Sequence, residues 1–278
     1  MSTVTLDRPT SAAAAPVTLQ TGSRLSWWVS DTWELVKRNA RHIIRTPELL
    51  LDVTIQPIMF VLLFRYVFGG AIATEGTSYV NFLMAGIFVQ TISFAMLWSG
   101  VLLANDLQKG IIDRFRALPM QSWTVLAART ITDLFRSMIA IVIMIAVGLA
   151  IGFRPDSNVL QWIGAIGMLL LFGFALAWIG ITLGMAVRTP EAATGAIFVF
   201  VFPLTFASSA FVPTNTMPSW LEAFTENQPI TLVINTVRAW MLGNDAGSDA
   251  WRALIWSLGL LVIFFPVALW MYKKRTTD

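Results

Sequence analysis

Asp106, Lys109, Asp113, Arg114 and Arg116 crowd into the stretch Asn105–Met120, a charged island between two long apolar runs. Side chains of these types at this density suit ionic contact with a soluble protein rather than bond-making. Leu107, Ile111, Phe115 and Leu118 recur at spacings of four, four and three, which gathers them on one face of a helix. Asn105 or Asp106 can cap the start of that helix, and Pro119 stops it. Lys109, Asp113, Arg114 and Arg116 are left on the rest of its surface. The alternative is a plain basic loop resting on lipid headgroups.

Other chemistry is scarce. A Gly-x-x-x-x-Gly-Lys-Ser/Thr phosphate loop is absent, and the dipeptide Gly-Lys occurs nowhere, so the chain is not expected to hydrolyse ATP by itself. Gly-x-Ser-x-Gly and His-Glu-x-x-His are absent as well. The lack of cysteine excludes disulfides, thiolate metal sites and cysteine nucleophiles. His42 is the single histidine, set among Arg41, Ile43 and Arg45, and reads as an interfacial side chain. Haem or multi-histidine metal chemistry has no ligands here. No residue is assigned as catalytic, cofactor-binding or metal-ligating. Asp52 and Asp133 fall near the ends of apolar runs, where water is expected to reach them. That leaves the middle of the membrane without the ionisable groups of a proton- or sodium-coupled carrier.

The elements that must carry the island are membrane spans. Hydrophobic residues make up 56% of the 278 residues and charged residues 13%, about half the charge of a soluble domain. Runs near 20 apolar residues recur without strand alternation, so the expected fold is an all-α polytopic membrane protein with helices as the spanning element. The formal net charge of +3 fits basic loops facing anionic lipid and gives no cause to expect nucleic acid.

Residues 1–23, rich in Ala, Thr, Ser and Pro, read as a disordered cytoplasmic tail. Residues 24–48 mix Trp28, Trp33, Leu35 and Val36 with Lys37, Arg38, Arg41 and Arg45 and end at Thr46-Pro47. This is the pattern of a basic amphipathic helix lying in the interface. The transmembrane domain, 49–278, then holds six spans at about 50–69, 82–104, 132–153, 162–187, 195–211 and 253–272. Pro57 predicts a kink in the first span, and Arg65 is placed to snorkel. Asp133 and Arg136 are three apart and could pair locally. The glycine pair Gly180-x-x-x-Gly184 points to close helix packing, within the bundle rather than between copies.

Between spans five and six, Val212–Asp249 is punctuated by Pro213, Pro218 and Pro229. It holds an apolar cluster at Trp220, Leu221 and Phe224. A helical spacing follows at Ile230, Val233, Ile234, Val237, Trp240 and Met241. One or two short re-entrant helices that dip into the far leaflet are expected, shielded there by protein or water.

Basic residues set the orientation. Arg24, Lys37, Arg38, Arg41, Arg45, Lys109, Arg114, Arg116, Arg129, Arg188, Lys273, Lys274 and Arg275 share one side of a six-span arrangement. The other side has Arg154, Arg238 and Arg252 beside six acidic residues. Both termini are expected in the cytoplasm.

These residues together resemble a permease subunit of the ABC-2 transporter family, of the daunorubicin-resistance type found in actinobacteria. The likeness covers nearly the whole chain. It is carried by the interfacial helix ending at Arg45-Thr-Pro47, by Phe68-Gly69-Gly70, and by Asn105-Asp106…Lys109-Gly110…Arg114-Phe115-Arg116-Ala-Leu-Pro119. Phe206-Ala-Ser-Ser-Ala-Phe211-Val-Pro213…Met217-Pro218-Ser-Trp220-Leu and Asn227-Gln-Pro229-Ile-Thr231…Arg238 complete it. Family loops often carry an acidic residue directly after the position of Gly110, where this chain has Ile111-Ile112 and reaches Asp113 later.

The resemblance implies an exporter of a hydrophobic or amphipathic compound in a bacterial cytoplasmic membrane, a drug or antibiotic foremost, with a lipid or lipid-linked saccharide as the alternative passenger. It implies two copies of a separate ATP-binding subunit, which hold the ATP and magnesium, and a second permease, identical or related. Asp106, Lys109, Gly110, Asp113, Arg114, Phe115, Arg116 and Pro119 would form the coupling helix that docks on the ATPase. Lys37, Arg38 and Arg41 would add a second contact. Phe211, Pro213, Pro218, Trp220, Pro229 and Arg238 would line the outer gate.

Overall fold

The structure, a computed structural model, describes residues 48–70, 72, 74, 76–109 and 122–277. The N-terminal tail, the interfacial helix and Gly110–Pro119 of the coupling helix lie outside the described residues. Eight α-helices are found among those described. They are α1 (Glu48–Leu63), prolonged by a π-helical turn at Phe64–Phe68, α2 (Tyr79–Gln108), α3 (Ser122–Ala150), α4 (Val159–Ala186), α5 (Pro190–Phe206), α6 (Ser219–Asn227), α7 (Pro229–Met241) and α8 (Gly247–Thr277). A 3-10 turn at Thr214–Thr216 precedes α6.

The helix starts follow capping chemistry. Ser78 Oγ accepts from the Asn81 N–H at 3.3 Å, and Thr189 Oγ1 accepts from Ala192, with Pro190 in the first turn of α5. At α4, Asn158 Oδ1 accepts from the Gln161 N–H at 2.8 Å while Gln161 Oε1 accepts from the Asn158 N–H at 3.0 Å. Two otherwise orphaned donors are satisfied reciprocally. Asn158→Ala should cost about 1 kcal/mol, read as a drop of a few degrees in the thermal midpoint of the detergent-solubilised chain. An unchanged midpoint would show the box to be energetically idle.

Among the described residues, four helices are long and apolar enough to cross a bilayer: α2, the Arg129–Ala150 stretch of α3, α4, and Gly247–Lys274 of α8. They match expected spans two, three, four and six. Expected spans one and five correspond to shorter apolar helices, Ile55–Phe68 and Pro190–Phe206. Span five was expected to reach about Phe211 but ends at Phe206. Ser208 Oγ donates to the Thr205 carbonyl and accepts from the Ala210 N–H. Local side-chain bonds thus replace the helical ladder just after Pro203.

Helix α2 is the axis of the molecule. Its spanning stretch is 78% buried, against 33% for α3 and 11% for α8. It packs most extensively on α4, and glycine is the reason the two approach so closely. A Cβ on Gly100 would lie 1.9 Å from the Gly180 carbonyl oxygen, and one on Gly184 would lie 2.1 Å from that of Gly100. The Gly180-x-x-x-Gly184 pair therefore packs inside the bundle, as its spacing suggested. Helix α7 fits beside this crossing, with Ile230, Leu232, Val233, Ile234 and Val237 buried and contacts to α2, α4 and α8.

Candidate functional site

Helix α2 has 30 residues, about 45 Å of length at 1.5 Å per residue. It connects two polar regions, one at Asp106 and one at its Tyr79 end. At the first, the C-terminus of α2 carries Asp106, an anion at the negative pole of the helix dipole. Arg129 of α3 offsets this unfavourable placement, with its guanidinium 2.5 Å from the Asp106 carboxylate and both side chains part-buried. Lys109 caps α2 through its backbone N–H and is exposed. Of the residues expected to couple to a partner, the structure thus places Asp106 in an intramolecular ion pair and leaves Lys109 accessible.

Deeper in the same helix pair, Ser99 Oγ donates to Asp133. Asp133 is 7% exposed, contrary to the expectation that water reaches it. The apolar run begins at Thr132, but α3 starts ten residues earlier at Ser122, so the carboxylate lies well inside the helix. Nor does Asp133 pair with Arg136, whose Nε is buried without a hydrogen-bond partner. An interhelical acceptor site has taken the place of the local pair.

The opposite end of α2 holds a larger polar assembly, centred on Arg238 of α7. Its Nε donates to the Phe82 carbonyl at 3.1 Å, and one terminal nitrogen donates to Asn235 Oδ1 at 3.1 Å and Ser209 Oγ at 3.4 Å. The other terminal nitrogen donates to the Ser209 carbonyl. The guanidinium also sits 3.8 Å from the centre of the Phe82 ring, a cation–π contact. Ser209 Oγ donates in turn to Asn235 Oδ1 at 2.7 Å, and Asn235 Nδ2 to Asp249 at 3.3 Å.

This assembly grips the turn after α5. The Tyr79 hydroxyl donates to the Phe211 carbonyl at 3.1 Å, and a Cβ on Gly86 would meet the Ala210 carbonyl oxygen at 2.3 Å. Phe211 is buried and stacks on Phe64 of the π-turn at 4.4 Å, with Phe206 at 5.1 Å. Gln228 Nε2 donates to the Leu204 carbonyl at 2.9 Å and to that of Ala207, closing the C-terminus of α5. A cavity of about 770 Å³ opens beside Arg238, walled by Asn81, Arg154, Asp156, Asn235 and Asp249 among others.

Of the residues expected in the outer segment, Phe211 and Arg238 join this assembly. Pro213 opens the 3-10 turn, Pro218 precedes α6 and Pro229 starts α7. Trp220 and Phe224 are exposed, at 73% and 50%, and Leu221 is partly buried. Sequence reasoning missed Tyr79, Phe82, Gly86, Ser209, Gln228 and Asn235. Ser209 and Gln228 lay inside the signature runs 206–211 and 227–231 without a role of their own, and Asn235 left a trace as a polar residue three before Arg238 in an apolar run.

A family model described as ABC-2 type transporter matches residues 30–242. The daunorubicin resistance ABC transporter permease protein DrrB1 of Streptomyces coeruleorubidus is 34% identical over 229 residues, 82% of this chain and 81% of that protein. A probable doxorubicin resistance ABC transporter permease protein, DrrC of Mycobacterium tuberculosis, is 24% identical over 89% of this chain and 88% of its own length. A putative transport permease, ycf38 of Cyanophora paradoxa, is 26% identical over 89% of each. The chain belongs to the ABC-2 type transporter family.

Proposed function

We propose that this chain is the membrane-spanning permease subunit of an exporter powered by ATP that a separate subunit hydrolyses. Its passenger is a hydrophobic or amphipathic compound, foremost a drug or antibiotic, as the daunorubicin and doxorubicin resistance named in its relatives suggests. The observation that carries this reading is the family match over residues 30–242, which takes in both the charged loop and Arg238.

Six spans, α1 to α5 and α8, cross the cytoplasmic membrane of a bacterium, with the Asp106 end and both termini inside. Two ATPase copies, with their ATP and magnesium, serve two permease copies. Each ATPase docks on the loop from Asp106 to Pro119, with Lys37, Arg38 and Arg41 as a second contact. Nucleotide-driven closure of the ATPase pair moves the loop, and the spans exchange inward for outward access. The work comes from the difference in ATP affinity between the two states. The segment from Phe211 to Arg238 closes the outer mouth.

Crosslinking from Lys109 in native membranes should recover an ATP-binding subunit, and failure to recover one would remove the mechanism. Within the complex, Asp113→Ala with Arg116→Ala should lower daunorubicin transport at least tenfold while membrane insertion stays unchanged. Wild-type transport by that double variant would refute the coupling role.

A further inference from the structure

The two polar contacts between α2 and α3 occupy one seam. Ser99 and Asp106 are seven residues apart, about two turns, and Arg129 and Asp133 four, about one turn, so each pair shares a helix face. The helices run antiparallel, and Asp106–Arg129 and Ser99–Asp133 form successive rungs leading away from the loop. The longer arginine side chain spans the difference in spacing. Arg136, one turn further along α3, takes no part, its Nε having no acceptor.

These rungs add polar contacts between helices where burial of apolar surface supplies no net drive. Only a third of the spanning stretch of α3 is buried, and it packs chiefly on α2 and α1. Lipid tails are as apolar as the helix surface, so apolar contact alone gives α3 little reason to stay against α2. A loop whose two ends could splay would absorb an applied push locally. A loop whose ends are tied passes the push to both helices.

We infer that these contacts are a clamp that makes α2 and α3 move as one body. Ser99, Asp106, Arg129 and Asp133 are then positioning residues that transmit motion from the loop to the bundle. The inference rests on the docking role proposed for that loop.

The chain has no native cysteine, so spin labels can be placed at Gln108→Cys on α2 and Ile131→Cys on α3, both exposed positions. In the full-length chain, pulsed-EPR distances between them should be narrowly distributed. Asp106→Arg, Arg129→Asp and Ser99→Ala should each broaden the distribution, and the double reversal Asp106→Arg with Arg129→Asp should narrow it again. In the assembled complex, each single reversal should cut daunorubicin transport at least tenfold, and the double reversal should recover half or more. Ser99→Ala carries both readouts should a reversal fail to insert.

Single variants that keep both the narrow distribution and wild-type transport would overturn the clamp, as would a double reversal no better than either single. If the wild-type chain recovers no ATPase, the docking reading fails instead. The clamp is then judged by the distances alone, and an unbroadened distribution overturns it.

Discussion

Gly180→Val is expected to abolish the folded chain or lower its thermal midpoint by ten degrees or more. The helix pair it sits in has no room for any side chain. A Cβ at this position would lie 2.5 Å from the Leu97 carbonyl oxygen and 2.8 Å from the Leu97 Cα. Those are backbone atoms of a helix, which cannot rotate aside as a side chain can. Relief requires α2 and α4 to separate, and that also breaks the Gly100–Gly184 approach one turn away. Overpacking costs typically 1–3 kcal/mol and sometimes more, and three interlocked glycines put this site at about 3 kcal/mol or beyond. Gly195→Val is the control, since a Cβ at that exposed glycine of α5 meets nothing within 4 Å. Thermal unfolding followed by intrinsic tryptophan fluorescence separates the two. A Gly180→Val midpoint equal to that of Gly195→Val would mean that the close crossing is not part of the stable fold.

That crossing was only half legible in the amino-acid sequence. Gly180 and Gly184 announce a small-residue face by their spacing, but nothing in the local pattern names Gly100 as the opposing surface. Helix register decides that, and register is a property of two elements together. The same limit explains Asp133. Hydropathy marks where a bilayer could begin, and the apolar run starts at Thr132. Backbone hydrogen bonding does not stop there, so α3 extends back to Ser122 and brings the carboxylate to the interior. The long spans were readable because 20 apolar residues have few other fates. The end of α5 was not, because Ser208 and Gln228 settle it through contacts that span from three to 24 residues of chain.

The polar side chains of α2 and its neighbours divide into two kinds of work. At the Asp106 end they join two helices that are neighbours in sequence. At the Tyr79 end they join elements distant in sequence: Arg238 reaches Phe82 across 156 positions and Ser209 across 29. A lone arginine in an apolar helix reads in sequence as a charge in search of water. In the fold its donors go to two carbonyl oxygens: that of Ser209, in the turn after α5 where the helical ladder has stopped, and that of Phe82, a helical carbonyl in the first turn of α2 that takes the arginine as a second donor. The arginine is the means by which a non-helical turn is held among helices, where an unsatisfied carbonyl would be costly.

Arg238→Met is therefore expected to be the most damaging single change at this end, costing about 3 kcal/mol or more. Hydrogen bonds to charged groups contribute about 1.5–3 kcal/mol each, and methionine keeps the apolar stem while removing every donor. The Ser209 carbonyl and Asn235 Oδ1 would be left short of partners, although the adjoining cavity admits water and reduces the loss. Arg238→Lys should fall between the two, because one ammonium cannot hold Phe82, Asn235 and both Ser209 oxygens in a planar fork. Limited proteolysis of reconstituted vesicles from the Arg238 side gives the local readout. Cleavage within Ala207–Thr216 should rise strongly in Arg238→Met and modestly in Arg238→Lys, with the Asp106 side unaffected. Equal resistance in all three proteins would show that Tyr79, Gly86 and Gln228 hold the turn without the arginine. The assembly would then owe its order to packing around Phe211 rather than to charge.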